Sequence, residues 1–414
     1  MKSADIPRFG TLSGMKVVVA AVSTAGGVPA QKYAEQGADV IWVEPPIGQD
    51  PLRWTAGGWG IENERRNVRS MCLNVQAEKG RELFFNLIES TDVFIEASRG
   101  GQWSGWGITD EVLWEHNPKL VICHMSGYGQ TGVPEFVKRS AYDHTTQAYS
   151  GMLQLNGFPD RDPALAMKFP TDYYAGLCAF GETLAAYICA TKTGKGESID
   201  LAQYEISASC QSALPGQWLN QGKQEVRDGS KRVDTAGVGY YTCKDGKGVY
   251  CIFIGAGVLR KIIPLFGLEY GSELFPKGVT RILTVNKEAT AAFEEVITKY
   301  LSSKTAIEAE TELCAMGIPI SRVMDYQMME EDEHYKARET FIEWESVTGG
   351  TIKGVAPVPR FQNHPAQIWR GCPSIGMDND DILEELGYSQ SEIDSFYDDK
   401  LIKQDDMVRI TTVN

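Results

Sequence analysis

The first part of the chain alternates apolar runs of strand length with segments of helical spacing. Residues 15–22 (MKVVVAAV) and 39–43 (DVIWV) are almost wholly apolar, and residues 28–36 between them have a helical pattern. Such a succession is typical of a β-α-β unit in a parallel sheet buried on both faces. Further strands are predicted at 67–75, 93–96 and 120–125, and further helices at 77–89 and from 109. The pattern therefore predicts a doubly wound, Rossmann-like α/β domain with its site at the carboxyl ends of the strands.

The pattern changes near residue 214. Residues 221–232 are polar and loop-like, and residues 240–252 predict a β-hairpin around Asp245-Gly246. Two helices are predicted after the hairpin, at 287–300 and 305–316. These elements indicate a smaller α+β domain at about 223–325.

Composition narrows the class of protein. The 414 residues are enough for two or three domains, and the net charge of −15 argues against nucleic acids and anionic membranes as partners. The segment MKSADIPRFG at residues 1–10 lacks the apolar core of a signal peptide, and the sequence contains no 18-residue apolar run. Its nine cysteines form no C-x-x-C pair and have no metal-ligand spacing. We expect a soluble cytoplasmic protein without a metal site.

Residues 169–205 contain the main candidate for chemistry. Asp172 opens a Gly/Ala-rich helix, which leads through a Thr-Gly-Lys-Gly turn to a strand predicted at 198–201. Five residues of this helix fall on one face: Leu177, Gly181, Leu184, Ala185 and Ile188. Close packing is expected to compensate for the helix-destabilising Gly181. Free N–H groups and the helix dipole favour a carboxylate at Asp172, and an ordinary helix cap is the simpler explanation of such an Asp.

The segment D-x-x-x-G-L that begins at Asp172, followed by T-G-K-G-E at 193–197, resembles the nucleophile segment of the family III CoA-transferases. Other similar segments are residues 12–14, 25–26, 37–44, 48–53 (G-x-D-x-x-R), 126–132, 141–151 and 367–378. Within the family, the resemblance is nearest to the carnitine CoA-transferase branch, through residues 94–98, 107–114, 116–122, 194–200 and 367–371. The resemblance extends from about residue 9 to 395.

The resemblance implies an organisation in three segments. Residues 1–222 would form the large α/β domain, with the CoA-binding residues and the nucleophile. Residues 223–325 would form the small domain, and residues 326–414 would return to the large one. In this family two subunits are interlocked like chain links, so an interlocked homodimer is expected.

The resemblance also implies the chemistry. Asp172 would attack the thioester of an acyl-CoA, giving a mixed anhydride and then an aspartyl-CoA thioester, which a small carboxylic acid reopens. CoA is then a substrate, and no cofactor is tightly bound. The implied CoA contacts are Ser23, Thr24, Leu73, Asn74, Val75, Gln76, Ala97, Ser98 and Arg99. Trp106 stands where the carnitine enzymes have a basic residue, so it can stack on adenine but cannot neutralise a phosphate, and Arg139 is the candidate substitute.

A Gly-rich loop at Gly255–Gly257 is a candidate for holding the developing oxyanion through its backbone N–H groups, with a plain turn at a strand end as the alternative. For the acid, the carnitine branch suggests carnitine, crotonobetaine or γ-butyrobetaine. Aromatic faces would hold their trimethylammonium group, and the candidates are Tyr173, Tyr174, Trp218, Tyr240 and Tyr241. These residues can equally be core or interface aromatics, and an aryl, branched or bile acid would use similar surfaces.

The sequence supports three other functions less well. An α-methylacyl-CoA racemase of this fold pairs the Asp with a His in a G-H-D segment, whereas this chain has Ala141-Tyr142-Asp143 there, with His144 next to it. A dehydrogenase would need the G-x-G-x-x-G fingerprint, which the turn at 23–29 lacks. A non-enzymatic interaction protein would leave Asp172 as a helix cap only.

Overall fold

The structure is a computed structural model that describes residues 1–47 and 50–409. Its strands are β1 (Lys16–Ala21), β2 (Asp39–Glu44), β3 (Arg69–Cys72), β4 (Val93–Ala97), β5 (Val121–Ser126), β6 (Glu197–Ala202), β7 (Thr235–Ala236), β8 (Val238–Thr242), β9 (Gly248–Ile252), β10 (Ile282–Leu283), β11 (Ile320–Arg322), β12 (Phe341–Glu345) and β13 (Thr351–Val355). Its helices are α1 (Ser23–Glu35), α2 (Trp59–Glu64), α3 (Glu78–Ile88), α4 (Gln102–Gly105), α5 (Asp110–His116), α6 (Pro134–Val137), α7 (Asp143–Tyr149), α8 (Met152–Leu155), α9 (Pro170–Thr193), α10 (Gln203–Ser209), α11 (Leu214–Gln221), α12 (Ala256–Leu265), α13 (Lys287–Ser302), α14 (Ala306–Ala315), α15 (Tyr326–Glu331), α16 (Glu333–Ala337), α17 (Asn379–Glu385) and α18 (Gln390–Asp398). Short 3-10 helices lie at Ser3–Asp5, Pro51–Arg53 and Thr55–Gly58.

A six-stranded parallel sheet forms the centre of the first of two compact units. Its strand order is β3-β2-β1-β4-β5-β6, and every neighbouring pair is parallel. From β1, the chain adds β2 and β3 on one side of the sheet. It then crosses to the other side of β1 and adds β4, β5 and β6. The order reverses between β1 and β4, which is where ligands bind in doubly wound sheets. The predicted fold class is confirmed.

The strands β1 to β5 are buried on both faces of the sheet, as their apolar sequences require. Val17, Val19 and Trp42 belong to the core on the side of α1 and α9. Val18 and Phe94, one residue out of phase, belong to the core on the side of α3 and α5. Alternate side chains of a strand point to opposite faces, so an apolar residue at nearly every position gives a sheet that is covered on both sides.

The Gly-rich segment 23–29, expected as a turn, is instead the start of α1, so this expectation is wrong. Its glycines serve close packing rather than turning. A Cβ at Gly26 would lie 2.1 Å from the Cβ of Ala21, and one at Gly27 would lie 1.9 Å from an Arg65 nitrogen. Farther along the chain, a Cβ at Gly176 in α9 would lie 2.6 Å from the Cβ of Val28, so α1 and α9 pack at short distance. Helix α9, which carries Asp172, is held against the sheet in this way.

The first unit comprises residues 1–152, 167–215 and the segment from Ala337 onward. In that last segment β12 and β13 form an antiparallel hairpin, followed by α17 and α18. The Asn67 side chain accepts hydrogen bonds from the N–H groups of Trp369 and Arg370. Asp378 accepts one from the N–H of Ser70 at 2.8 Å. These bonds join the C-terminal segment to the edge of the sheet at β3.

The second unit comprises residues 153–166 and 216–336. Its three-stranded antiparallel sheet has the order β11-β9-β8, and α12, α13 and α14 pack on it around Phe253, Phe293 and Leu313. The predicted hairpin is present, with Gly246 in the left-handed conformation that its turn requires. The sequence-based boundaries at 222/223 and 325/326 stay predictions, and the structure adds residues 153–166 to this unit. Among the described residues, no helix combines the length and apolarity needed to cross a bilayer.

Candidate active site

Asp172 lies in the first turn of α9, on the wall of a cavity of about 420 Å³. The helix begins with Pro170, which suits a first helical position because its missing N–H would have no helical partner there. The carboxylate is buried, with 5% of the residue exposed. This combines two properties that seldom occur together, namely a carboxylate shielded from water and an opening toward a cavity.

The cap of α9 comes from Asp143 rather than from Asp172. Asp143 Oδ1 accepts hydrogen bonds from the Thr171 N–H at 2.8 Å and from the Thr171 hydroxyl at 2.7 Å. It also accepts a longer bond, 3.4 Å, from the Asp172 N–H. Since Asp143 occupies the N–H groups of the first turn, the carboxylate of Asp172 is released from the capping role that the sequence offered as its simplest explanation.

Gln203, the first residue of α10, donates a hydrogen bond from its side-chain amide to Asp172 Oδ1. Burial, together with the charge of Asp143, raises the pKa of Asp172 to about 7, although the bond from Gln203 favours the ionised form. The carboxylate is therefore a weakly solvated base that loses its proton near neutral pH. Sequence reasoning missed Gln203, and its only signal was a polar residue directly after the apolar end of a predicted strand.

Most of the predicted CoA contacts meet at this cavity. The wall includes Ser23, Leu73, Asn74, Val75, Gln76, Ala97, Ser98, Arg99, Trp106 and Arg139, together with Asp172 and Gln203. These segments follow β1, β3 and β4, whose carboxyl ends share one edge of the sheet. Thr24 is the exception. It is only 1% exposed and does not line the cavity, and its hydroxyl has no hydrogen-bond partner among the described residues.

Two basic residues and two Trp side chains line the outer part of the cavity. Arg99 and Arg139 are both exposed, and Arg139 lies over the ring of Phe136 at 3.7 Å. Trp103 donates a hydrogen bond to Ser98 Oγ at 3.1 Å and packs against Trp106, with ring centroids 5.5 Å apart. The arrangement offers two guanidinium groups and one indole face to a ligand that carries phosphates and a planar base.

Buried ion pairs fix the segment after β1. Arg65 donates to the Ser23 carbonyl at 2.9 Å and to Asp50 Oδ2 at 2.8 Å, and Asp50 Oδ1 accepts the Ser23 N–H at 3.0 Å. Burial raises the pKa of Glu64 to about 7 against the opposing charge of Arg65, and Glu64 accepts a bond from the hydroxyl of Tyr173. Asp50 and Arg53 belong to the predicted G-x-D-x-x-R segment, whose Gly48 lies outside the described residues. Through Asp50, this segment therefore stabilises the position of Ser23 in the cavity wall.

His124 on β5 lies between two carboxylates just behind the cavity. Its ring nitrogens are each 2.8 Å from an oxygen, one of Glu96 on β4 and one of Asp110 on α5. Burial opposes the charged imidazole, but the bonds to Asp110 and Glu96 outweigh it and raise the pKa of His124 to about 9. The charged triad joins β4 to β5 one residue before Ala97 and Met125, which line the cavity. Its members are far apart in sequence, and no motif indicated it.

Other predicted residues are not among those that line this cavity. Gly255, with φ of 102°, precedes α12, and Gly257 lies in the first turn of that helix, so both belong to the second unit. Of the aromatic candidates, Tyr173 and Tyr241 bond to Glu64 and Glu294, whereas Tyr174 and Trp218 are exposed. None of the five aromatic candidates, Tyr240 included, is among the described residues that line the cavity. His144 is exposed and also lies outside the lining.

Comparison with known proteins identifies the family. Residues 12–379 match the family model "CoA-transferase family III". The chain is 36% identical over 395 residues, 95% of this chain and 89% of its relative, to the bile acid CoA-transferase BaiK of Clostridium scindens (strain JCM 10418 / VPI 12708). A CAIB/BAIF family protein from Brucella suis has a similar structure, with a TM-score of 0.78, 27% identity and coverage of 92% of this chain and 100% of that one. Rv3272 from M. tuberculosis has the same fold, with a TM-score of 0.78, 22% identity and coverage of 90% and 99%.

Members of this family act on CoA thioesters as substrates, without a tightly bound cofactor. In the described part of the chain, no group of three or more His, Cys, Asp or Glu side chains is arranged to hold a metal ion. The family match over most of the chain and the buried carboxylate facing a cavity at the strand ends lead to one conclusion: this protein belongs to CoA-transferase family III and is a CoA-transferase.

Proposed function

We propose that the protein transfers CoA from an acyl-CoA to a carboxylic acid with Asp172 as the nucleophile. The observation that carries the proposal is the carboxylate of Asp172, buried but open to the cavity and released from capping by Asp143. Attack on a thioester needs an ionised, poorly solvated carboxylate and no general base, because a carboxylate has no proton to lose. A pKa of about 7 leaves much of this group ionised at neutral pH.

The steps follow from the chemistry of the groups. Asp172 attacks the thioester carbonyl and expels the CoA thiolate, which leaves a mixed anhydride on the protein. The thiolate then attacks Asp172 Cγ, releases the donor acid and forms an aspartyl-CoA thioester. The acceptor carboxylate attacks Cγ in turn, and the released thiolate finally attacks the new acyl group, which regenerates Asp172. Gly255 and Gly257 stay candidates for holding the oxyanion of the acyl carbonyl.

The cavity wall supports a binding site for CoA. Arg99 and Arg139 can pair with the nucleotide phosphates, and Arg is suited to such pairing because its planar donors match phosphate oxygens. Trp106, half-buried against Trp103, offers a face for adenine. Backbone groups at the strand ends would contact the rest of CoA, from Ser23, residues 73–76 and residues 97–98.

The proposal also covers the chemical class of the acceptor acid. The relative named as a bile acid CoA-transferase favours a larger, less polar acid than carnitine. Of the aromatic residues that were expected to hold a trimethylammonium group, Tyr173 and Tyr174 belong to the same unit as the cavity, and neither of them lines it. We therefore propose an acid with an apolar body, of bile-acid, aryl or branched type, and retain carnitine, crotonobetaine and γ-butyrobetaine as the second candidate, which the similar sequence segments favour.

We further propose a homodimer in the cytoplasm. The nine cysteines are all free, which suits a reducing compartment. The exposed apolar side chains Leu177 and Ile188 on α9 support association with a second copy of the chain.

The nucleophile is tested by trapping. Hydroxylamine should inactivate enzyme that was incubated with acyl-CoA, and peptide mass spectrometry should find the hydroxamate on Asp172. The Asp172→Asn variant should lose transfer by several orders of magnitude while still binding CoA, because an amide cannot form the anhydride. Asp394→Asn, on the exposed face of α18, is the matched control and should keep full activity. Near-complete turnover by Asp172→Asn would exclude this mechanism.

The acceptor is tested by competition. γ-Butyrobetaine and its uncharged isostere 5,5-dimethylhexanoate differ only in the charged centre, and a bile acid supplies a third shape. Transfer to the uncharged acids at higher kcat/KM would support the apolar assignment. A preference for γ-butyrobetaine over its isostere would restore the carnitine-type assignment and leave the transferase proposal intact.

A further inference from the structure

The two oxygens of the Asp172 carboxylate have different surroundings. The side-chain amide of Gln203 donates a hydrogen bond to Oδ1, and Gln203 is itself 6% exposed. Gln203 directly follows β6 as the first residue of α10, and its backbone carbonyl accepts the hydroxyl of Ser207 at 2.8 Å. Among the described hydrogen bonds, none reaches Oδ2. The carboxylate is thus held by one oxygen and free at the other.

This asymmetry decides which oxygen does what in the proposed reaction, on which the inference rests. Oδ2 is the oxygen available to attack the thioester, so it becomes the bridging atom of the anhydride. Oδ1 then becomes the carbonyl oxygen on the Asp172 side. In the second step, attack of the CoA thiolate on Cγ forms the C–S bond and places negative charge on Oδ1. Collapse of that tetrahedral centre breaks the bond from Cγ to Oδ2, which leaves with the donor acid.

We propose that Gln203 is a catalytic residue whose amide N–H stabilises the oxyanion on Asp172 Oδ1 during both attacks on Cγ, by the CoA thiolate and then by the acceptor carboxylate. A donor that already points at the oxygen needs no reorganisation when the charge develops, and its effect is large in a site shielded from water. The protein would thus have one oxyanion donor for the carbonyl of Asp172 itself, separate from any group that serves the carbonyl of the substrate.

The kinetic test replaces the amide by an isosteric group that donates no hydrogen bond. Gln203→Met should lower kcat about 10²- to 10³-fold, the usual effect of removing one oxyanion donor, and should change the KM for acyl-CoA much less. Loss of this bond also raises the pKa of Asp172, so the rates are compared on the high-pH plateau of each enzyme. Gln211→Met is the matched control, because Gln211 donates to the Ser150 carbonyl instead. It should retain wild-type kcat.

The inference also predicts which intermediate accumulates. Without the donor, formation of the anhydride continues and attack on Cγ slows, so Gln203→Met incubated with acyl-CoA should carry the acyl group on Asp172 rather than CoA. Wild-type turnover by Gln203→Met, or accumulation of the CoA adduct in it, would overturn the inference.

Oxygen labelling distinguishes the proposed role of Gln203 from a merely structural one, which would not change the labelling pattern of Asp172. An acceptor acid labelled with oxygen-18 in its carboxylate should place one labelled oxygen on Asp172 over many turnovers, because Oδ1 is retained by Gln203 and only Oδ2 exchanges. In Gln203→Met the carboxylate can rotate, and both oxygens should become labelled. Rapid double labelling of the wild-type enzyme would contradict the assignment to Oδ1. Failure of the proposed function differs from both results, since wild-type Asp172 would then acquire no label and no adduct.

Discussion

Asp143 caps the helix that carries Asp172, and the same carboxylate makes Asp172 harder to ionise. Its Oδ1 accepts the Thr171 N–H at 2.8 Å and the Asp172 N–H at 3.4 Å. The cap stabilises the first turn of α9 and so fixes the backbone position of Asp172. The negative charge beside the site adds to burial in raising the pKa of Asp172. One side chain therefore contributes both to the geometry of the site and to its pH dependence.

The first prediction separates these two effects. Asp143→Asn keeps an oxygen for the Thr171 N–H but removes the charge, so the pKa of Asp172 should fall. The acidic limb of kcat/KM, which should lie near pH 7 in the wild-type enzyme, should move to lower pH by about one unit. The pH profile of kcat/KM measures this shift. The exposed-site variant Asp394→Asn should leave the limb in place, and movement to higher pH would contradict the assigned role.

The second prediction concerns the cost of the ionised carboxylate to stability. The pKa of Asp172 is about 7 in the folded protein against an ordinary value of 3.8, so the folded state binds this proton more tightly than the unfolded state. Stability is therefore lost as the pH rises from about 4 to 7, and the loss is complete above pH 7. Asp172→Asn should then be more stable than the wild-type protein by about 2–4 kcal/mol at pH 8, and by much less at pH 4.

Denaturant unfolding at the two pH values measures this difference. Asp394→Asn, again the control, should stay within about 0.5 kcal/mol of the wild type at both. Equal stability of Asp172→Asn and the wild-type protein at pH 8 would show that the carboxylate is better solvated than its 5% exposure indicates.

The third prediction concerns His124 and its two carboxylate partners. Its pKa of about 9 exceeds the ordinary 6.5, so the charged imidazole stabilises the folded state fully below about pH 6.5, and this contribution is lost as the pH rises through 9. His124→Gln should destabilise the protein by about 2–3 kcal/mol at pH 6 and by less at pH 10. Unfolding midpoints at both pH values measure the change. His334→Gln, at an exposed position of α16, should have little effect at either.

The fold was predictable because it depends on local patterns. Apolar runs such as 15–22 and 39–43 separated by helical segments leave few arrangements, since parallel strands joined by helices cross over in the right-handed sense. The Gly-rich segment after β1 was misjudged for a physical reason. Gly26 and Gly27 are common turn formers, yet here they are needed because a side chain would collide with Ala21 and Arg65 across the fold. A sequence does not indicate which use of glycine applies.

The site was predictable only where the chain itself brings residues together. Segments after β1, β3 and β4 could be assigned to one edge of the sheet, and ten of the eleven predicted CoA-contact residues do line the cavity. The partners of Asp172 could not be found in this way. Asp143 and Gln203 lie about thirty residues before and after it, and both contacts arise from tertiary packing of α7 and α10 against α9. The pKa and the orientation of the Asp172 carboxylate depend on these two contacts, so the sequence alone could not predict them.

The last prediction concerns assembly and starts from α9. Part of the apolar face noted in the sequence is exposed: Leu177 is 49% and Ile188 is 53% exposed, whereas Leu184 is half-buried against the core. Apart from the backbone of α9 itself, no atom of the described residues lies within 4 Å of a Cβ built at Gly181 on this face, so the expected close packing around it is absent within one subunit. An uncovered apolar face on an otherwise ordinary helix is typical of an interface.

We expect a second copy of the chain to cover this face. If the two chains are threaded through each other, as the family resemblance implies, they cannot separate without unfolding, so the dimer should persist at every dilution in sedimentation velocity. Ile188→Glu, which places a charge in the covered face, should reduce the yield of dimer, because an unpaired charge is costly to bury. Val285→Glu, at a position 83% exposed outside α9, should not. A wild-type protein that sediments as a monomer would exclude the dimer. A reversible monomer–dimer equilibrium would keep the interface but remove the threading, because chains that part on dilution cannot be linked.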